Sequence, residues 1–295
     1  MATADLLDRC AFPDGELQLG VSGGADSVAM AVLARVAERS FTIWHIHHGV
    51  RPGADADAAF VETLAAAWCV PFELRQLELD PGPNFEARAR AARYHALPAG
   101  VCVGHTANDR AETVLLNLLR GAGLAGSAVR MQSAHRPILR LTRTETMAVC
   151  EEAGIAPCED ETNRDTSNHR AAVRLRVLPE IASALGRDPV PILNRHADLI
   201  SDALEVVEAA AAALDPTDVA ALRTAPRAVA TEALRSWIQA TTSDPYPVDT
   251  ATIERVLQVV HGNHRAAETV GGHRIARSQG KLSISLASPN GQADT

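Results

Sequence analysis

The chain has 295 residues, a length that suggests about two domains, with 46% hydrophobic and 22% charged residues. That is the composition of an ordinary globular protein and excludes disordered, collagen-like and fibrous classes. The formal net charge of −8 argues against a blanket affinity for nucleic acid. No apolar run reaches membrane-spanning length, so no membrane partner is expected. The opening MATADLLDRC carries acids and no apolar stretch, so no secretory signal is expected either. The five cysteines form no CxxC pair, which points to reduced thiols in a cytoplasmic protein. The basic side chains are 27 arginines and one lysine, Lys281. A Walker A loop, which needs lysine beside its glycines, is thereby excluded from the first 280 residues.

In chain order, ELQLGV (16–21) reads as a buried strand, followed by the turn SGGADS and an apolar helix from Ser27 to about Arg39. Strands are expected at 41–47 and 71–79, with a helix over 54–68 between them. A helix over 84–97 starts with Asn84 as its N-cap. A fourth strand, GVCVGH (100–105), leads to a helix over 108–121 with Gly121 at C′. RPIL supplies one more strand-like piece before a helix at 142–154. This alternation implies an α/β fold: a Rossmann-like parallel sheet with helices on both faces. Ligands then belong at the carboxyl ends of the strands, where SGGADS, HHGVRPG and HTAND stand. Beyond Pro179 the texture turns alanine-rich and helical, with a further helix at 249–262 and an alternating tail that reads as a β-hairpin. The expected division is 1–185, then a smaller, mostly helical domain at 186–290, then a frayed tail at 291–295.

Two stretches run against the overall charge. Five arginines (Arg120, Arg130, Arg136, Arg140, Arg143) lie between Glu112 and Glu145 without an acid, and Arg170, Arg174 and Arg176 lie between Asp165 and Glu180 without one. Such blocks are usually solvated surface, but they also suit a protein that grips one structured RNA. Arg170 and Arg174 project from one side if their stretch is helical, a geometry for gripping phosphate.

Ser22, Gly23, Gly24, Ala25, Asp26 and Ser27 lie where a strand meets a helix. Two glycines let backbone N–H groups converge on an anion, and the helix adds its unpaired N–H groups and positive dipole end. Asp26 is placed to hold Mg²⁺ bridging phosphates. A glycine turn capped by Asp26 is the plainer reading of the same residues. His45, His47 and His48 lack a Cys or acid at ligand spacing, so zinc is not expected; His47 and His48 read as loop residues near the nucleotide.

The hexapeptide resembles the SGGxDS signature of the PP-loop ATP pyrophosphatases, which cleave ATP between its α and β phosphates. Four more segments resemble motifs of one subfamily, the tRNA(Ile)-lysidine synthetases. They are HIHHGVR (45–51), NFEARARAARY (84–94), GHTANDRAETVLLNLLRGAGLAG (104–126) and DETNRDTSNHRAAVRLRVLP (160–179). Arg110 replaces a usual Gln, Ala171 a usual Asn and Leu175 a frequent His. The C-terminal hundred residues resemble the family's helical substrate domain in position and texture, without room for the extra domain of longer members.

The resemblance implies an adenine nucleotide alpha-hydrolase-like fold and an ATP-dependent carbon–nitrogen ligase. Its partners would be L-lysine and the isoleucine tRNA with a CAU anticodon. ATP adenylates the C2 oxygen of the wobble cytidine, the lysine ε-amine attacks C2, and AMP leaves. ATP and Mg²⁺ are the implied cofactors, and dimers are common in the family, which raises a homodimer. Asp26, His105 and Asp109 are the catalytic candidates. Arg88, Glu112, Arg170 and Arg174 are candidates for lysine or tRNA. Asp109 and Glu112 are three apart and share a helix face, and a neutral His105 can relay protons near pH 7. A surface ion-pair network explains Arg88 about as well. With ten aromatic residues in all, arginine planes or apolar side chains would have to hold the bases. The alternatives are another PP-loop enzyme, a tRNA thiolase or an amidotransferase-type synthetase, or a non-catalytic adenine-nucleotide sensor. Iron–sulfur thiolases need clustered cysteines, which are missing here, and the sensors carry their glycine motif late in the domain.

Overall fold

The computed structural model describes residues 3–49, 53–77, 85–129, 134–158, 169–242, 248–269 and 271–286. The chain divides into two compact units, Met1–Ala122 with Val129–Asp198, and Gly123–Ala128 with Leu199–Thr295.

In the first unit a 3₁₀ helix, Thr3–Arg9, precedes β1 (Leu17–Gly20) and α1 (Ala25–Val36). Then follow β2 (Phe41–His48), α2 (Ala54–Ala67), β3 (Phe72–Leu77), α3 (Phe85–Ala96), β4 (Cys102–Val103) and α4 (Ala107–Leu119). The four strands form one parallel sheet in the order β3-β2-β1-β4. The chain steps outward from β1 to β3 and returns to the other side of β1. The switch point therefore lies between β1 and β4, where ligands bind in such sheets.

Side chains of β2 alternate between two cores, as a pleated strand requires. Ile43 packs with Leu19, Met30, Leu33, Val149 and Cys150 on one face; Trp44 and Ile46 pack with Leu97 and Val101 on the other. The helix α1 is buried from Ser27 through Ala34, which its small and aliphatic side chains allow. It packs against α6 (Arg143–Glu152), whose Thr142 cap accepts from the Glu145 N–H while Glu145 accepts from the Thr142 N–H.

Three expectations need correction. RPIL is no strand: residues 137–140 are turns, and only the neighbouring His135 bridges Cys102. The helix after the glycine turn begins at Ala25, with Gly24 as N-cap and no side-chain cap from Asp26. His47 and His48 belong to β2 and not to a loop. Gly121 does take the left-handed conformation after α4, at φ 70°. The Asn84 cap and residues 159–168 of the last motif lie outside the described residues.

Beyond α6, α7 (His169–Ala172) runs into a π turn, Val173–Val177, and α8 (Leu178–Leu185), and α9 (Val190–Ala212) follows. Val173, Leu178 and Leu193 pack on Leu115 of α4, so the arginine-bearing stretch lies along that helix. The second unit contains α5 (Leu124–Ala128), α10 (Val219–Thr224), α11 (Arg227–Thr242) and α12 (Thr250–His261). Its antiparallel sheet has β5 (Ala266–Glu268), β6 (His273–Ser278) and β7 (Lys281–Leu286), so the terminal hairpin gains a third strand. The helices and this sheet share a core of Leu234, Ile238, Ile253, Val256 and Ile275. Among the described residues no helix is long and apolar enough to cross a membrane.

Candidate active site

The glycine turn expected to hold phosphate follows β1 directly. Gly23 holds φ at 94°, a conformation that residues with a Cβ rarely adopt. A Cβ there would stand 3.1 Å from the Cys158 Sγ, and the Cys158 N–H donates to the Gly23 carbonyl at 3.0 Å. Ser27 Oγ donates to the Gly24 carbonyl at 2.9 Å and accepts from the Ser22 N–H at 3.1 Å. Ser22 Oγ lies 3.1 Å from it. These bonds set the curvature of the turn and bring both hydroxyls to one side of it.

The loop after β4 closes on the turn. A Cβ on Gly104 would lie 2.6 Å from the Ser27 Cα and 2.7 Å from its nitrogen, so only glycine fits. Beyond Gly104, Thr106 starts α4: Asp109 Oδ2 accepts from the Thr106 N–H at 2.8 Å and from its hydroxyl at 2.9 Å. His105 Nδ1 accepts from Arg136 Nε at 3.0 Å, which leaves the proton of the neutral ring on Nε2.

Glu112, one turn along α4, is fully buried and gathers three arginines. Arg174 holds it with two bonds, Nε to Oε1 at 2.7 Å and Nη2 to Oε2 at 3.1 Å. Arg170 Nε donates to Oε2 at 2.9 Å, and Arg143 Nη1 lies 3.4 Å from Oε1. Asp109 Oδ1 lies 3.2 Å from Arg170 Nη2 and 3.3 Å from Arg143 Nη2. Arg143 also reaches the phosphate turn, with Nε 3.5 Å from Asp26 Oδ2, while Thr146 Oγ1 donates to Asp26 Oδ1 at 2.5 Å. Asp26, Asp109 and Glu112 thus form one network with Arg143, Arg170 and Arg174.

Charge states follow from these surroundings. Burial pushes the Asp26 carboxyl above its ordinary value, against the Thr146 bond and the Arg143 charge, which pull it down. Burial would raise Asp109 too, but Arg170, the Thr106 N–H and Arg143 together hold it below its ordinary value. Arg174 loses by burial and gains more from Glu112, so it is held firmly protonated.

The structure brings together the phosphate turn, Asp26, His105, Asp109, Glu112, Arg170 and Arg174. Arg88 stands exposed on α3. Arg143 and Thr146 were not anticipated as site residues, nor was the need for glycine at 104. The only sequence signal for Arg143 is its membership of the acid-free block before Glu145. Arg110 Nη1 bonds Asp198 Oδ1 of α9 at 2.5 Å, Ala171 is buried and Leu175 is exposed. Among the described residues no cluster of His, Cys, Asp or Glu is arranged to hold a metal by itself.

A parallel sheet whose switch point carries a glycine phosphate turn, met by an acid-bearing loop from the adjacent strand, is the arrangement of a PP-loop domain, and a family profile of that description matches residues 3–181. A second profile, the TilS substrate binding domain, matches residues 218–283. The chain belongs to the tRNA(Ile)-lysidine synthase family, ATP-dependent ligases of the PP-loop class. It is 35% identical over 257 residues to the tRNA(Ile)-lysidine synthase of Methylococcus capsulatus, spanning 77% of this chain and 58% of that relative. To the tRNA(Ile)-lysidine synthase of Salinispora tropica it is 34% identical over 303 residues, 92% of this chain and 91% of that one. A solved structure, the U34-tRNA thiolase NcsA from Methanococcus maripaludis with its [4Fe-4S] cluster, shares the fold at 13% identity. The TM-score is 0.57, over 68% of this chain and 78% of that one.

Proposed function

We propose that the chain ligates L-lysine to C2 of the wobble cytidine in the CAU-anticodon isoleucine tRNA, consuming ATP and releasing pyrophosphate and AMP. The product, lysidine, shifts decoding from AUG to AUA and identity from Met to Ile. The observation that carries this reading is Arg143, which joins Asp26 of the phosphate turn to Asp109 and Glu112. Nucleotide chemistry and the acids thereby share one site. We assign the chemistry to 1–185 and RNA recognition to 186–290.

In the first step the cytidine C2 oxygen attacks the α-phosphorus and pyrophosphate departs. The turn's N–H groups, Ser22 and Ser27 stabilise the charge that develops on the phosphates. Asp26, the carboxylate at the turn, is the residue that would hold Mg²⁺, an ion that takes carboxylate oxygen together with phosphates and water. That ion, when bound, neutralises charge on the phosphate oxygens. In the second step the ε-ammonium loses a proton to solvent, the free amine forms the N–C2 bond, and the C2–O bond breaks as that oxygen leaves with AMP. Asp109, held ionised and engaged through both oxygens, fixes the start of α4 through Thr106 and positions Arg143 and Arg170 beside the turn. His105, with its proton on Nε2, is a donor to an oxyanion. Both oxygens of Glu112 are taken by guanidinia, so its role is to aim Arg170 and Arg174 at phosphate. Mass spectrometry of nucleosides from treated tRNA tests the proposal. A lysine adduct on cytidine, formed only with ATP, lysine and the CAU transcript, is the expected result. ADP in place of AMP, or an unmodified cytidine, overturns it.

A further inference from the structure

At the far end of α12, in the second unit, Gly262 holds φ at 88° and closes the helix. Two arginines from different elements converge there. A Cβ on Gly262 would lie 3.1 Å from Arg277 Nη1 of β6 and 3.6 Å from Arg223 Nη2 of α10. Arg223 donates through Nη2 to the His261 carbonyl, and Arg277 Nη1 lies 3.4 Å from the Val260 carbonyl. Arg265 stands directly across the strand pair, its carbonyl accepting from the Arg277 N–H at 3.3 Å. Like charges opposite one another weaken an antiparallel pair. All three arginines are exposed, as are His261 and His264.

Elsewhere in this unit three cations are answered by acids, while Arg255 bonds the Thr252 hydroxyl and the Glu268 carbonyl. Arg227 pairs with Glu254, Arg235 with Glu232 at 3.1 Å, and Lys281 with Asp215 at 2.7 Å. Around Gly262 nothing comparable occurs. No carboxylate pairs with Arg223, Arg265 or Arg277 among the described residues. The sequence itself holds no acid between Asp218 and Glu232, between Glu254 and Glu268, or between Glu268 and Asp294. The carbonyl end of α12 is the negative pole of its dipole, which fixes two guanidinia side by side and offsets part of their repulsion. Each guanidinium keeps further donors facing water.

We propose that Arg223, Arg265 and Arg277 form a preset phosphate grip for the sugar–phosphate backbone of the tRNA, an inference that rests on the RNA substrate proposed above. Planar forked donors suit a phosphodiester, and the contact carries no base information, so it sets affinity and not anticodon choice. The site lies within the segment that matches the substrate-binding profile.

The test uses the full chain and fluorescence-detected binding of the CAU transcript and of a second tRNA across a salt series. Arg223→Gln/Arg277→Gln should weaken both tRNAs alike, by about tenfold or more at moderate salt, and lower the log–log salt slope by about one per arginine. KM for tRNA should rise with kcat kept. Arg265→Gln, which touches no helix cap, should give about half that change in slope. Arg223→Lys/Arg277→Lys, which keeps the charge, should retain most of it and guards against a folding defect. Unchanged slopes in the Gln variants overturn the grip. So does inorganic phosphate at constant ionic strength displacing tRNA from the wild type while those slopes stay equal, which marks a free-anion site. Lysidine formation with unchanged slopes sinks the grip alone. Changed slopes without lysidine sink the proposed reaction alone, and absence of any tRNA binding sinks both.

Discussion

Gly104 and Ser27 meet backbone to backbone at the mouth of the sheet, with no room for a methyl group between them. The obstacle on the Ser27 side is main chain at the start of α1, which cannot swing aside as a side chain would. The contact fixes the distance between the phosphate turn and the loop that leads to Asp109.

Gly104→Ala should therefore cost about 1–3 kcal/mol of stability by overpacking, seen as a fall of several degrees in the calorimetric melting temperature. The KM for ATP should rise along with it. An alanine variant with unaltered melting and ATP affinity would mean the two backbones separate freely.

Glu112→Gln leaves three guanidinia around a neutral amide. Breaking a buried ion pair costs about 3–5 kcal/mol, but the arginines keep partial access to water, so about 2–4 kcal/mol is expected. Urea unfolding measures this. A loss below about 0.5 kcal/mol, the level of an ordinary surface substitution, would show that the arginines do not depend on Glu112.

Asp109 is held below its ordinary value of 3.8. A depressed acid stabilises the fold above the unfolded pKa, and that contribution disappears as pH falls through the lower folded value. Melting temperature should therefore drop on acidification from about that value downward, and Asp109→Asn should flatten the drop. Glu145, lowered despite its burial penalty by Arg9 and the Thr142 cap, contributes in the same direction and remains in the variant. Identical acid profiles for wild type and variant would remove Asp109 from this linkage.

Asp26 runs the other way, raised chiefly by burial. Thr146→Val removes a bond that opposes the rise, so the acid limb of kcat/KM should move to higher pH while the plateau is kept. Asp26→Ala should abolish turnover with the fold intact, as read by circular dichroism. Full turnover in Asp26→Ala would exclude that carboxylate from the chemistry.

Local patterns exposed much of this architecture. The buried LQLG strand, the glycine pair after it and the order of strands and helices follow from periodicity and turn chemistry, which act over a few residues. The i, i+3 spacing of Asp109 and Glu112 and the i, i+4 spacing of Arg170 and Arg174 likewise translate into shared helix faces. Arg143 was hidden because its partners Asp26, Asp109 and Glu112 lie 117, 34 and 31 residues away, and no spacing rule spans such gaps. Gly104 was hidden because a close approach depends on what arrives opposite it. RPIL looked like a strand from its apolar content, but its carbonyls and N–H groups go to turns: Leu139 N–H bonds Arg136 and Leu141 N–H bonds Ile138.

The hexapeptide at 22–27 comes early in synthesis, yet the Gly23 carbonyl waits for the amide of Cys158. A ribosome must add some 130 further amino acids before that clasp can form. A nascent chain released or stalled before then carries the full signature and its local Ser22–Ser27 bonds without that clasp. Truncated products that end before Cys158 should therefore bind nucleotide more weakly than the full chain, even where their motif is whole.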